Sequence, residues 1–277
     1  MGLKAHHAEK ELVMKWTEEA EKAISKVPFF VRKRVRKRVE QEARNSGDRK
    51  VRIEHVRTCR NRLLTRMEDE VKGYQVENCF GAGGCPNRVS EYEGFAEELE
   101  KRLSERDLKT WLKGKVGTSL KFHHEFRVSV SDCPNACSRP QIVDVGFIGA
   151  AIPSIAGKEC RLCSACVEAC REGAVSLQES GPVIDYPKCL FCSACAEACE
   201  TGKIEKVSAG YRIMLGGKLG RHPRLARELK GIYSPAEALE ILDRVLDHYQ
   251  DHCAGGERLG EILERTGTKE FEKKASA

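Results

Sequence analysis

The apolar positions of this chain change period partway along it. Leu12, Val13, Trp16, Ala20, Ile24 and Val27 fall at helical spacing until Pro28 breaks the run. Val31, Val35 and Val39 mark a second helix that should end near Asn45, Ser46 and Gly47, and a third is expected over 53–72. Beyond residue 73 the segments 74–76, 126–131, 143–148 and 211–215 read as strands. Ser90 and Glu93 read as a capping box opening a helix with Phe95, Leu99 and Leu103 on one face. Ser234, Pro235 and Glu237 combine an N-cap, a proline in the first helical position and a glutamate that reaches back. A helix should run from there to about residue 250, burying Leu239, Leu242, Val245, Leu246 and Tyr249. Strands and helices alternate irregularly, so the expected fold class is α+β and not a doubly wound sheet.

Composition changes this picture in one respect. The 277 residues include only 17 aromatics but 14 cysteines, so cofactors are expected to share the work of folding. The longest apolar run, 145–152, is eight residues, far short of the ~20 that cross a bilayer. The start, MGLKAHHAEKELVMK, has no secretory apolar core, and His6 stands where a myristoylation motif wants Ser or Thr, so no membrane span and a cytoplasmic location are expected. Disulfide frameworks belong mainly to short exported domains, which this is not.

Charge divides the chain. Residues 1–66 hold 19 Lys and Arg against 9 Asp and Glu, a net of +10, while 67–277 hold 29 against 33. The segment 1–66 is therefore expected to be a basic helical domain. Its run RKRVRKR at 32–38 has valines at every fourth position, which makes it amphipathic. Three readings stay open: a solvated face, a docking face for an acidic donor or cofactor, and, ranked last, a nucleic-acid footprint.

Twelve cysteines fall into tight groups: Cys79 and Cys85; Cys133 and Cys137; Cys160, Cys163, Cys166 and Cys170; Cys189, Cys192, Cys195 and Cys199. The last two groups form an internal repeat, CRLCSACVEAC and CLFCSACAEAC, identical at eight of eleven positions. In CxxCxxCxxxC three thiolates wind around one cubane and the fourth points to another. That rule assigns Cys160, Cys163, Cys166 and Cys199 to one 4Fe-4S cluster and Cys189, Cys192, Cys195 and Cys170 to a second. Eight thiolates so spaced favour iron–sulfur over zinc. The proline that usually follows the fourth cysteine is replaced by Arg171 and Glu200. Cys79, Cys85, Cys133 and Cys137, as Cys-x5-Cys and Cys-x3-Cys, suit one further cluster, with glycines 81, 83 and 84 allowing close backbone approach. Cys59 and Cys253 read as small apolar residues.

At these residues a resemblance becomes specific. The Cys-x5-Cys pair, SDCPNAC, DVGFIG and GYRIMLGGKLGRHP resemble the siroheme and iron–sulfur domain of sulfite and nitrite reductases, and the repeat between them resembles the ferredoxin insertion of dissimilatory sulfite reductases. The likeness covers about residues 70–265. It implies a reductase-like domain over 67–155 and 208–277, a ferredoxin domain inserted at 156–207, and siroheme plus three 4Fe-4S clusters as cofactors. It further implies that Cys137 bridges its cluster to siroheme iron, beside Asn135. Candidates for the cationic pocket of a small anion, all beside these motifs, are Lys121, Arg127, Arg139, Lys218 and Arg221. Lys218 and Arg221 could equally pair with siroheme carboxylates. His123 and His124 could donate protons or simply edge a strand. Trp16, Val27-Pro28, Phe30-Val31-Arg32 and 40–47 resemble the short helical domain of light-independent protochlorophyllide reductase.

The expectation is an anaerobic sulfite reductase-like oxidoreductase fed by an external ferredoxin or partner subunit, with nitrite as the alternative substrate. Family members carry two related halves and this chain has only the cysteine-bearing one. A homo- or hetero-oligomer could complete the pocket, or the chain could be a non-catalytic electron-transfer subunit. An iron–sulfur nucleic-acid sensor is the weakest reading.

Overall fold

A computed structural model describes residues 14–90 and 92–272. It divides into two compact units, Met1–Glu70 and Val71–Ala277.

In the first unit β1 (Lys15–Trp16) pairs in parallel with β2 (Lys50–Val51), around three helices: α1 (Glu18–Ser25), α2 (Phe29–Asn45) and α3 (Ile53–Glu70). Trp16 is therefore not helical as its spacing suggested; Thr17, extended and accepting from Ala20 N, starts the first helix, and Leu12 and Val13 lie outside the described residues. Ala20, Val39, Ala43 and Val51 form the small core, with Cys59 packed against it. The basic run is only partly a solvated face. Arg32 donates to the carbonyls of Ser25 and Val27, and Arg36 forks onto Glu21 at 2.7 Å while covering the Trp16 ring. Lys33, Arg34, Lys37 and Arg38 remain exposed.

The second unit is built on a five-stranded mixed sheet. Its members in chain order are β3 (Tyr74–Asn78), β4 (Phe126–Ser131), β5 (Val145–Ile155), β8 (Ile204–Leu215) and β9 (Arg227–Glu228), which is also their spatial order. The first three are parallel and the rest antiparallel. Successive side chains on a strand point to opposite faces. Phe126, Val128, Val130, Val145, Phe147, Tyr211, Ile213 and Leu215 face the core. They are covered by α4 (Phe95–Glu105), α8 (Pro235–His252) and α9 (Leu259–Thr266), while α5 (Leu108–Val116) adds Leu108. Gln75, Arg127, Ser129 and Ser131 take the other face.

The capping box expected at Ser90 and Glu93 is absent: α4 begins at Phe95 behind Gly94, whose φ of +79° turns the chain in. Ser90 is instead buried, its hydroxyl 2.8 Å from that of Tyr211. The box at Ser234 and Glu237 is present, and α8 buries the expected face.

β5 and β8 are longer than their apolar patterns suggested. They pair from Val145 opposite Leu215 out to Ile155 opposite Ile204, with a register shift at Ile152 and Pro153. At the far end of this hairpin stand α6 (Ala165–Ala169), the hairpin β6 (Val175–Gln178) and β7 (Gly181–Ile184), and α7 (Ala194–Glu197). The described residues contain no helix long and apolar enough to cross a membrane.

Candidate metal centres

Parallel pairing brings the ends of β3 and β4 together, and with them Cys79 and Cys133. Cys79 N donates to Val130 O at 3.0 Å, and Asp132 N donates to Cys79 Sγ at 3.3 Å. The loop carrying Cys79 and Cys85 then returns, and Val89 N and Ser90 N both donate to Asp132 O, at 2.8 and 3.3 Å. Both ends of the loop are thus fastened to residues 130–132. Gly81 is required here, since a Cβ would lie 2.0 Å from Asp132 Oδ2; Gly83 and Gly84 face open space. Asp132 lies inside the SDCPNAC motif, yet its fastening role has no signature in sequence.

The loop with Cys133 and Cys137 folds back over the polar face of β4. Ala136 and Arg139 take left-handed conformations, φ +52° and +60°. Ser138 donates its hydroxyl to Val130 O at 2.6 Å, and Ser129 donates to Ser138 O at 2.7 Å. Burial pushes the Cys133 thiol pKa up, and Cys137, Cys79 and Cys85 lie close enough to add to that rise by like charge. Of these four cysteines only Cys137 is exposed.

The two repeat loops share one backbone. Leu162 and Ser164 take φ of +54° and +63°; Phe191 and Ser193 take +61° and +63°. Leu162 N donates to Cys160 Sγ and Phe191 N to Cys189 Sγ, both at 3.4 Å. Such left-handed non-glycine residues persist only where the surroundings hold them. The fourth cysteine of each run crosses over. The Cys166 thiol, raised by burial, also feels Cys199 and Cys160; Cys195, pushed up to about 12 by burial, feels Cys189, Cys192 and Cys170.

These thiols suit iron–sulfur chemistry. Desolvated and close to other thiols, Cys133, Cys166, Cys189 and Cys195 resist ionisation unless positive charge is supplied among them. Backbone N–H groups already point at the sulfurs of Cys79, Cys160, Cys170, Cys189 and Cys199. Among the described residues no three such ligands crowd around one point as a single ion needs; a cubane instead spreads four thiolates around its corners.

The repeat loop carrying Phe191 and Cys192 abuts the Cys133 loop. Ala151 on β5 packs against Cys133, and its N–H donates to Phe191 O at 2.8 Å. A cavity of about 250 Å³ separates the two loops, lined by Cys133, Pro134 and Asn135 on one side and Ala169, Leu190 and Cys192 on the other.

The candidate cations do not gather in this way. Arg127 stands near the start of β4 and Cys133 just past its end, roughly 20 Å of extended chain apart. Its Nε is buried without a hydrogen-bond partner. Lys121 and the two histidines precede it; His123 and His124 form a short helical turn and not a strand edge. Both imidazoles are held below their ordinary pKa by burial, and by neighbouring cations including Lys121 and Arg258. Lys218 Nζ donates to Glu261 Oε1 at 2.6 Å, so its charge is already paired. Arg139 is exposed, 3.8 Å from Glu77, and Arg221 is exposed. One arginine that no sequence motif marks organises this end. Arg258 forks onto buried Asp144, which also accepts from Arg127 N, and it donates to His123 O. Those partners are 114 and 135 residues away, and no local pattern announces them.

The chain is similar to several known proteins. A coenzyme F420-dependent sulfite reductase of Methanocaldococcus jannaschii is 32% identical over 195 residues, 70% of this chain and 29% of that protein. The chain thus spans less than a third of that relative. Residues 16–60 match the family of the proto-chlorophyllide reductase 57 kD subunit. Over 50 residues, 18% of this chain and 10% of the relative, the chain is 48% identical to a subunit of the light-independent protochlorophyllide reductase of Chlorobium luteolum. Among solved structures, dissimilatory sulfite reductase I aligns with TM-score 0.49 and 16% identity, covering 73% of this chain and 52% of that one. Residues 73–277, well over half the chain, match the nitrite and sulphite reductase 4Fe-4S domain, and the chain belongs to that family.

Proposed function

We propose that this chain is the cluster-bearing part of a siroheme-dependent reductase of a small oxyanion, sulfite before nitrite, with electrons entering through the ferredoxin-like insertion. The observation that carries this reading is the contact between the Cys192 loop and the Cys133 loop. It gives the insertion an inner end, where Cys170, Cys189, Cys192 and Cys195 lie toward Cys133, and an outer end at Cys160, Cys163, Cys166 and Cys199. Leu162 is 48% exposed and Cys163 is exposed, so the outer end is where a donor protein would dock.

The exposed thiol of Cys137 supports its role as the ligand shared with siroheme, with Asn135 beside it. Siroheme, when bound, supplies the iron at which the oxyanion gives up its oxygens as water. The chain's part is to hold the cluster thiolates rigidly by the fastenings at Asp132 and Ser138. Sulfite is named first because a relative 32% identical over 195 residues is a sulfite reductase. Another copy or another chain would complete the cationic pocket.

Anaerobically purified chain, co-expressed with siroheme synthesis, should show a tetrapyrrole spectrum and iron for three 4Fe-4S clusters. Absence of the tetrapyrrole would sink the reductase reading. Cys137→Ser should separate the magnetic signals of haem and cluster; persistent coupling would refute the bridge.

A second reading, an electron-transfer subunit without its own catalysis, draws on the dispersal of the cations and the pairing of Lys218 with Glu261. Steady sulfite or nitrite turnover by the isolated chain with a chemical reductant would remove it.

A further inference from the structure

The crossed fourth cysteines of the two runs are not dressed alike. Cys199 Sγ receives Ile204 N at 3.4 Å and stands 3.6 Å from Thr201 Oγ1. Lys203 N donates to that same hydroxyl oxygen at 3.3 Å. A backbone N–H therefore occupies an acceptor site of Thr201, and a thiolate ligand has no hydrogen of its own. The hydroxyl hydrogen is left to donate to sulfur. In the other run Cys170 Sγ receives Ala174 N at 3.2 Å, and the residue in register with Thr201 is Glu172, a carboxylate that can donate nothing when ionised.

We propose that Thr201 is a tuning residue. Its hydroxyl donates to Cys199 Sγ and holds the outer cluster of Cys160, Cys163, Cys166 and Cys199 at a higher reduction potential than the inner cluster of Cys170, Cys189, Cys192 and Cys195. A donor to ligand sulfur stabilises the reduced, more negative cluster more than the oxidised one. Burial at the inner end acts in the opposite sense, because a low-dielectric site resists added negative charge. The outer cluster is then the first to be reduced and the last to be emptied. This rests on the cluster assignment proposed above.

The test is a redox titration of the anaerobically purified full chain, followed by electron paramagnetic resonance, beside iron and sulfide determination. Thr201→Val should lower the higher-potential ferredoxin-type signal by about a tenfold change in its one-electron equilibrium, about 59 mV. The other signals should stay in place, and Thr201→Ser should restore the wild-type value. If Thr201→Val loses its iron, Thr201→Ala replaces it in the same comparison. An unshifted outer signal, a shift of the inner signal instead, or a serine variant that behaves like valine would overturn the inference while leaving the cluster assignment standing. Wild-type chain that binds no ferredoxin-type cluster would overturn the assignment itself, and this inference with it.

Discussion

The runs 160–170 and 189–199 are nearly the same peptide in two environments. Their backbones agree at every left-handed position and in the N–H bonds to their first cysteines. Their surroundings differ. Leu162 and Cys163 face solvent, whereas their counterparts Phe191 and Cys192 are half-buried; Ser193 is 2% exposed where Ser164 is half-buried. Cluster-binding geometry is local and can be copied along a chain. Direction is not local: it is Phe191 of the second copy that bonds to Ala151, the residue packed against Cys133, and that makes an inner and an outer end.

The largest effect should come from removing a ligand at each end. Cys163→Ala and Cys195→Ala should each cost about one cluster of iron, measured against protein concentration. Cys195 is buried and Cys163 is exposed, so Cys195→Ala should also lower the melting temperature by more, because metal binding there contributes to folding. Equal melting losses would break the comparison.

Next in size is the residue between the first two cysteines of each run. Phe191→Ala should destabilise by about 1–3 kcal/mol in denaturant unfolding, and Leu162→Ala by about 0.5 kcal/mol or less. Leu162→Glu should slow reduction by a protein donor while leaving reduction by dithionite unchanged, because it alters encounter and not the interior. Slowing with both reductants would mean that the outer loop is not a docking edge.

A smaller effect is expected from pH. Burial lifts the Cys195 thiol from 9.0 to about 12 in the metal-free chain. A group whose folded pKa is raised adds stability that is complete below its unfolded pKa and is lost as pH rises through the folded value. The metal-free chain should therefore lose this contribution between about pH 9 and pH 12, and Cys195→Ala should flatten that part of the stability curve. An identical slope in the variant would exclude Cys195 as its source.

The smallest difference tests the shared backbone. Ser164→Gly and Ser193→Gly relieve the same left-handed strain, so their stability changes should agree within about 1 kcal/mol. A wider gap would show that Ser193, whose buried hydroxyl has no protein partner, does more than hold a turn.

Much of the molecule was legible before its structure. Periodicity located α2, α3, β4 and the buried face of α8, because in each a long element keeps one stripe against a core. It misplaced Trp16, whose helical spacing to Ala20 is coincidental, and read a cap into Ser90, whose hydroxyl serves Tyr211 instead. A single polar residue has several partners open to it, and sequence does not say which one folding delivers. The strand β8 ran past its apolar segment because backbone pairing with β5 continues where its own side chains turn polar.

By itself the sequence determined the cysteine groups and the repeat, since ligand spacing within a loop is a property of a few adjacent residues. It also determined the separation of a basic helical segment from an acidic body. Only the tertiary structure decided which repeat faces inward, that Cys137 is the exposed thiol of its quartet, and that Lys218 is spent on Glu261. Those outcomes depend on contacts between residues far apart in the chain, and such contacts exist only once β3, β4, β5 and β8 have aligned.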